Sequence, residues 1–181
     1  MAAEAVTGTD YWDLLERRFF RPAGMRSTGP RNRLKPGARM ASGHFWNDDR
    51  FDDNPPASAP GSTWAAGGLL STAADMARWS IALDHGRILG SAARRAMWQP
   101  ALLADGRPAG WGYGWQVETA GGRTIVSHGG GTAGFSCRYR RDLSEPLSTI
   151  LLTNQNGRAD PKTMTDALLA AIRAEGLIAP A

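Results

Sequence analysis

The sequence predicts an α+β fold in which helices and long loops precede an antiparallel sheet with a closing helix. Residues 1–110 contain helical patterns and a long aperiodic region, whereas from residue 111 onwards the apolar residues recur with a period of two. Short strand patterns follow one another without a helix between them, which favours an antiparallel meander over a parallel sheet. A chain of 181 residues suffices for one domain and hardly for two, so we assign 1–181 to a single domain with its strands in 111–181.

A first helix is predicted near the start of the chain. Thr9 or Asp10 can accept hydrogen bonds from the N–H groups of its first turn, and apolar residues then recur on one face. The helix should end before Pro22, because the residue that precedes a proline is disfavoured in the helical conformation. The segment 23–60 is rich in Gly, Pro, Asn and Asp, and is predicted to be a loop region with one or two short strands around residues 39–45.

Two further helices are predicted before the sheet. Thr72 and Asp75 have the spacing of a capping box, and the apolar stripe that follows them runs as far as His85. Gly86 can serve as the C-terminal cap of this helix. His85 is expected to interact with the negative end of the helix rather than to act in catalysis. Ser91 begins a shorter helix.

The second part of the sequence predicts four strands and one last helix. Gly121 and Gly122 mark a tight hairpin between the first two strands, and the last helix begins at Asp160. Trp64, Trp111 and Trp115 are expected to pack in the core or in loops rather than to line a cleft. The predicted strands are Tyr113–Glu118, Arg123–His128, Phe135–Arg141 and Ser148–Thr153.

Composition and charge argue against several classes of function. The net charge of +4 comes almost entirely from arginines scattered along the chain, which does not indicate a nucleic-acid surface. No apolar run is long enough to span a membrane. Cys137 is the single cysteine, so no disulfide can form within the chain, and we expect a packed thiol. The histidines lack zinc-ligand spacing, so neither a metal nor a cofactor is predicted.

One stretch combines a titratable side chain with bare backbone. His128 ends the second predicted strand and is followed by Gly129, Gly130 and Gly131. Glycine allows a ligand to approach main-chain N–H groups closely, and such groups can stabilise an oxyanion. The alternative is a tight hairpin with a capped histidine. A lipase-type hydrolase would also need the elbow motif Gly-x-Ser-x-Gly, but the nearest string, residues 134–138, lacks the second glycine.

Several segments spread over nearly the whole chain carry a family resemblance. They are AVTG (5–8), LLERRFFRPAGMRST (14–28), AAGGLLSTAADMARW (65–79), YGW (113–115), HGG (128–130) and LLTN (151–154). In order and spacing they resemble the C-terminal part of the serine β-lactamase-like family, which includes class C β-lactamases, penicillin-binding proteins and related esterases and peptidases. The resemblance implies the β-lactamase/transpeptidase-like fold in incomplete form.

The resemblance also implies a serine hydrolase that forms an acyl-enzyme with an ester, an amide or a β-lactam. His128 would polarise the substrate or relay protons, and the Gly131 N–H would be one oxyanion donor. Gly129 and Gly130 would keep the strand edge open for the acyl group. The family's Ser-x-x-Lys and Tyr-x-Asn motifs do not occur in this sequence. A serine hydroxyl is a weak nucleophile without an adjacent base, so the chain alone is expected to be inactive.

We therefore expect this chain to be a C-terminal fragment, with the nucleophile and the N-terminal strands of the fold lying upstream. Those strands would pair with Ser148–Thr153, which becomes an unpaired apolar edge when they are missing. The partner expected of the complete enzyme is a small acyl substrate. The alternative is a non-catalytic binding module that keeps the cleft without turnover. The compartment is left open, because any export signal would lie upstream.

Overall fold

The protein combines helices with mainly antiparallel sheets, which confirms the α+β class. A computed structural model describes residues 2–35, 37–53, 64–132, 134–145 and 147–177. The chain forms two compact units. Unit 1 comprises Met1–Met40 with Ser58–Ser91, and unit 2 comprises Ala41–Ala57 with Ala92–Ala181.

The elements are numbered in chain order. The helices are α1 (Ala2–Thr7), α2 (Tyr11–Leu15), α3 (Arg21–Ala23), α4 (Trp64–Gly67), α5 (Ala73–Asp84), α6 (Ser91–Met97) and α7 (Pro161–Ala174). The strands are β1 (Gly29–Pro30), β2 (His44–Asn47), β3 (Arg50–Asp53), β4 (Leu69–Leu70), β5 (Gln116–Ala120), β6 (Arg123–Thr132), β7 (Phe135–Asp142), β8 (Ser148–Thr153) and β9 (Gln155–Asn156). None of the helices in the described ranges has the length and apolar character needed to cross a membrane.

The first predicted helix is present, but it continues past the proline that was expected to end it. Asp10 caps α2 as predicted, accepting hydrogen bonds from two N–H groups of the first turn. A π-helical turn, Glu16–Phe20, joins α2 to α3, and Pro22 lies in the first turn of α3. The π turn shifts the carbonyls relative to the α-helical register, so a proline is tolerated where an unbroken α-helix would exclude it. The helix ends instead at Gly24, whose φ of 74° suits glycine.

Thr72 caps α5 as predicted, but Asp75 does not complete the capping box. The Thr72 hydroxyl accepts the Asp75 N–H at 3.1 Å. The Asp75 carboxylate instead accepts hydrogen bonds from the Ser27 N–H at 2.7 Å, the Thr28 hydroxyl at 2.9 Å and the Arg78 guanidinium at 2.7 Å. Asp75 is only 1% exposed. Burial alone would raise the pKa of Asp75, but these hydrogen bonds outweigh it and hold the pKa below its ordinary value.

The main sheet of unit 2 has the strand order β5-β6-β7-β8 and is antiparallel throughout. All four predicted strands are present. The first begins later than expected, at Gln116, and the second continues beyond its expected end as far as Thr132. Gly121 and Gly122 form the predicted hairpin turn with φ values of 57° and 76°. The last strand has the predicted bounds, Ser148–Thr153.

Both faces of this sheet are covered in part. On one face the buried cross-strand pair Val117 and Val126 lies next to Trp115 and Tyr139, whose rings meet edge to face at 5.1 Å. Helix α7 packs on the opposite face and buries Leu169 there. The alternation of side chains along a strand assigns each residue of β6 and β7 to one of these two faces.

Part of the predicted loop region belongs to unit 2 and forms a hairpin. Strands β2 and β3 pair antiparallel, and Asp48 and Asp49 at their turn have positive φ values of 44° and 61°. Strand β2 also adds parallel to β9. Strand β2 therefore begins inside the predicted range 39–45, and the hairpin extends beyond that range to Asp53. Residues 54–60 of the predicted loop lie outside the described residues.

Candidate active site

The candidate site lies on strand β6. The sequence predicted that this strand ends at His128, but it runs on through Gly129, Gly130 and Gly131, all of which pair with β7. The turn between β6 and β7 comes only after Thr132. The tight hairpin with a capped histidine is therefore wrong, and the four candidate residues form one continuous strand segment.

Successive residues of β6 direct their backbone hydrogen bonds alternately towards β7 and towards β5, and this alternation decides where the glycine N–H groups point. The Leu143 N–H donates to the Thr124 carbonyl at 2.9 Å, so the even-numbered residues of β6 bond towards β7. The odd-numbered residues, including Gly129 and Gly131, direct their N–H and C=O groups towards the β5 side. Strand β5 pairs with β6 only as far as Ser127, and no other strand in the described part of the chain pairs with β6 beyond it. The N–H groups of Gly129 and Gly131 therefore line an open edge.

His128 stands at the beginning of this open edge. It is exposed and lies on the same face as its cross-strand partner Tyr139. Its ring meets the ring of Trp111 edge to face, with centroids 5.8 Å apart and planes at 75°. Trp111 is 48% exposed, in contrast to the packing expected for it, whereas Trp115 is buried as expected. Trp111 thus gives the open edge a partly apolar flank beside the histidine.

Packing among the described residues does not require a residue without a side chain at positions 129, 130 and 131. None of them has a positive φ. An added Cβ would lie 3.4 Å from the Cys137 carbonyl oxygen at Gly129 and 3.9 Å from the Cys137 sulfur at Gly130. At Gly131 it would lie 3.5 Å from the Asn156 side-chain nitrogen. These are ordinary contact distances, so the missing side chains leave room for something outside this chain to approach the edge.

Asn156 is a neighbour of the site that the sequence did not single out. Its side-chain amide donates to the Thr132 carbonyl at 3.4 Å. Nearby, the His44 N–H lies 3.1 Å from the Gly134 carbonyl and 3.0 Å from the Asn154 carbonyl. These contacts join the end of β6 to the small β3-β2-β9 sheet. Because the contacting residues are far apart in the chain, no local sequence pattern indicates them.

Cys137 lies beside the site and is exposed, which corrects the expectation of a packed thiol. It is the cross-strand partner of Gly130. Partial burial of the sulfur raises the pKa of the Cys137 thiol, and a hydrogen bond from the Gly130 N–H opposes that rise in part. A thiol with a raised pKa stays protonated at neutral pH, so Cys137 is a poor nucleophile.

The open edge of β6 presents backbone N–H groups and a titratable ring, and the hydroxyls of Ser127 and Ser136 form hydrogen bonds with other groups. Ser127 is 1% exposed, and its hydroxyl accepts a hydrogen bond from Arg138 at 3.0 Å. The Ser136 hydroxyl donates to the Gln155 carbonyl at 2.8 Å. Over the described ranges, His, Cys, Asp and Glu side chains form no group of three or more placed to hold a metal ion.

Comparison with known proteins relates both the sequence and the fold to one family. The sequence model of the Beta-lactamase family matches residues 1–174. The chain is 29% identical over 156 residues to a D-aminopeptidase of Brucella ovis, and the match covers 86% of this chain. It covers only 30% of the D-aminopeptidase, so this chain spans about a third of that relative's length.

Solved structures share the fold. A penicillin-binding protein of Bacillus halodurans superimposes with a TM-score of 0.74 at 23% identity, covering 91% of this chain and 52% of that protein. The D-amino acid amidase of Ochrobactrum anthropi SV3, in its complex with L-phenylalanine, gives a TM-score of 0.72 at 26% identity. That match covers 97% of this chain and 54% of the amidase. The described residues thus correspond to about half of each solved fold.

Proposed function

Because this chain belongs to the β-lactamase family, we propose that it forms one wall of the acyl-transfer site of a serine hydrolase. The observation that carries this proposal is the open edge of β6. There the N–H groups of Gly129 and Gly131 are directed away from β7, and His128 lies exposed at its beginning. Backbone donors fixed in a sheet need no reorganisation when a negative charge develops on a bound carbonyl oxygen.

Each residue of the wall has a distinct role in this proposal. The Gly131 N–H donates one hydrogen bond to the oxyanion of the tetrahedral intermediate, and the second donor is the N–H of the nucleophilic serine. His128 polarises the substrate or relays a proton at the mouth of the site. Gly129 and Gly130 leave space for the acyl group along the strand. The serine, its lysine base and the tyrosine lie in a part of the protein other than this chain, because the sequence lacks both motifs.

The relatives favour one substrate class for this site, namely the amides and peptides of D-amino acids. A D-aminopeptidase and a D-amino acid amidase are among the proteins that this chain resembles, at 29% and 26% identity. The exposed ring of Trp111 beside His128 supplies an apolar surface for the substrate side chain. A D-configured aminoacyl amide is therefore the first substrate to assay.

The chain by itself is expected to show no hydrolysis above background with D-alanine p-nitroanilide, p-nitrophenyl acetate or nitrocefin. Without a nucleophile there is no covalent step for the oxyanion donors to stabilise. The measurement is release of the chromophore by extensively purified protein, with a His128→Ala variant as the matched control. Turnover that survives purification and disappears in His128→Ala would contradict the proposal that the nucleophile lies outside this chain.

The second candidate function is a binding module that keeps the cleft without turnover. It is favoured by the absence of Ser-x-x-Lys and Tyr-x-Asn from the sequence. The reading frame upstream of Met1 distinguishes the two functions: an in-frame Ser-x-x-Lys favours the hydrolase, and a frame without it favours the module.

The free edge of β8 is proposed to accept a strand from the remainder of the fold. Strand β8 pairs with β7, and over the described ranges no second strand pairs with it. Leu152 on this strand is 42% exposed. An unpaired apolar edge is a template for another strand, so in isolation it should recruit a second copy of the chain.

We therefore expect this chain to self-associate as its concentration rises, and a Leu152→Lys variant to stay monomeric because a charged side chain blocks edge pairing. Light scattering coupled to size-exclusion chromatography measures the molar mass. Leu168→Lys is the matched control, since Leu168 is 46% exposed and belongs to helix α7 rather than to a strand edge. A wild-type chain that remains monomeric, with β8 protected from hydrogen exchange, would refute the open edge.

A further inference from the structure

A second feature of unit 2 lies on the face of the sheet opposite His128. A cavity of about 230 Å³ lies between α7 and strands β5 to β7. Arg138 alternates with Tyr139, the cross-strand partner of His128, so its side chain belongs to the α7 face. The charged residues that line the cavity are Arg138, Arg140, Lys162, Arg173, Glu118 and Asp166.

Three of the four cations have a carboxylate partner. Arg140 and Lys162 share Asp166, at 3.5 Å and 2.8 Å respectively. Arg173 contacts the buried carboxylate of Glu145 at 3.0 Å. These pairs neutralise most of the charge around the cavity. Arg138 is the remaining cation of the lining, and it forms no salt bridge within the described residues.

Arg138 has a neutral partner and one buried donor without an acceptor. Its Nη2 donates to the Ser127 hydroxyl at 3.0 Å. Its Nε is buried, and no acceptor for it exists among the described residues. The Asp160 carboxylate interacts with Arg138 electrostatically rather than through a hydrogen bond, and its oxygens accept from the backbone N–H groups of Lys162 and Thr163 and from the Thr163 hydroxyl. A buried guanidinium N–H without a protein acceptor costs about 1–3 kcal/mol or more, a cost that an ordered water or a bound anion can offset.

We propose that this cavity binds a small oxyanion, a carboxylate or a phosphate, on the guanidinium of Arg138. A guanidinium binds planar or tetrahedral oxyanions through charge-assisted hydrogen bonds. A cavity of about 230 Å³ far exceeds the roughly 10–15 Å³ that one water molecule needs on the same measure, so it has room for a small oxyanion. Glu118 also lines the cavity, but it pairs with Ile125, four positions (roughly 13 Å of strand) along β6 from Gly129, the partner of Arg138.

The proposed anion site lies next to β6, on the face of the sheet opposite His128. Arg138 Nη1 lies 3.6 Å from the position that a Cβ would take at Gly129. The guanidinium of Arg138 therefore lies next to both the cavity and the strand that carries His128. The Gly129 amide is a reporter for occupancy that does not depend on any enzymatic activity, so the site is tested independently of the proposed function.

The experiment is a titration of the chain with sodium phosphate and, separately, with sodium acetate, each against sodium chloride at equal ionic strength. Nuclear magnetic resonance follows the Arg138 Nε–H and the Gly129 N–H. We expect both signals to shift and to saturate with at least one of the two anions. The anion that saturates the shifts at the lower concentration identifies the ligand as a phosphate or a carboxylate.

Variants separate the site from a general effect of salt. Arg138→Gln keeps a donor for Ser127 but removes the charge, and should weaken binding about tenfold or more, followed by the Gly129 signal. Arg107→Gln is the matched control, because Arg107 is an exposed arginine bound to Asp105 in another part of unit 2. It should bind as the wild type does.

Two results would overturn the anion site. One is a shift that grows linearly with salt and is equal for chloride and the two oxyanions. The other is no shift at all, which would mean that water satisfies Arg138 Nε. The wild-type Nε–H signal alone decides between these outcomes if the Arg138→Gln variant does not fold.

Discussion

If the proposed function holds, replacing Gly131 by proline lowers kcat/KM of the proposed hydrolase by about 10²–10³-fold, the usual cost of losing one oxyanion donor. Proline has no N–H, so the substitution removes the donor that the open edge of β6 offers to the substrate. Because the Gly131 N–H is directed away from β7, its loss leaves the β6–β7 hydrogen bonds in place. The measurement is steady-state hydrolysis of a D-aminoacyl p-nitroanilide by this chain joined to the segment that carries Ser-x-x-Lys.

Gly131→Ala is the matched control for this experiment. Alanine keeps the N–H, and its Cβ would meet only ordinary contacts, the nearest at 3.5 Å. We expect this variant to retain most of the activity. If the alanine and proline variants lose the same amount of activity, the free space at position 131 matters rather than the N–H of this residue. The oxyanion role of Gly131 would then be wrong.

Replacing Asp75 by alanine should lower the free energy of unfolding by about 3 kcal/mol or more. The substitution leaves the Ser27 N–H and the Thr28 hydroxyl without the buried acceptor that joins them to α5. Chemical denaturation followed by circular dichroism measures the change. Arg78→Met is the control: it removes only one donor, from a side chain that is 51% exposed, and should cost about 1 kcal/mol or less.

The pH dependence of stability gives a second measurement for the same carboxylate. The pKa of Asp75 is lowered in the folded protein, so its contribution is complete above the ordinary aspartate pKa of about 3.9 and is lost as the pH falls through the folded value. The wild type should therefore lose stability below about pH 4 more steeply than Asp75→Asn. Parallel curves for the two proteins would contradict the assignment.

Local features of the fold could be read from the sequence because neighbouring residues determine them. Asp10 and Thr72 cap their helices through N–H groups within three positions. Gly121 and Gly122 supply the positive φ values of a two-residue hairpin. Strand β8, Ser148–Thr153, has the predicted bounds.

Features that depend on distant partners were not predictable in this way. Pro22 does not end its helix, because a π turn before it changes the register. The Asp75 carboxylate turns to Ser27 rather than back to Thr72. The hairpin of β2 and β3 forms next to Gln155 and Asn156, with which β2 pairs. For Asp75 and for the hairpin the deciding contact lies outside the window that a local pattern covers, whereas the π turn beside Pro22 is local but departs from the 3.6-residue period on which the helix prediction depends.

The sequence pattern was sufficient to predict the α+β class and the family resemblance, and to select His128, Gly129, Gly130 and Gly131 as candidate site residues. What these residues present to a ligand follows from the folded sheet. Strand β5 stops pairing at Ser127 while β6 continues, so alternate N–H groups of β6 are left without a strand partner in the described part of the chain. That result depends on the register of three strands, and the hydrogen bonds between strands set it.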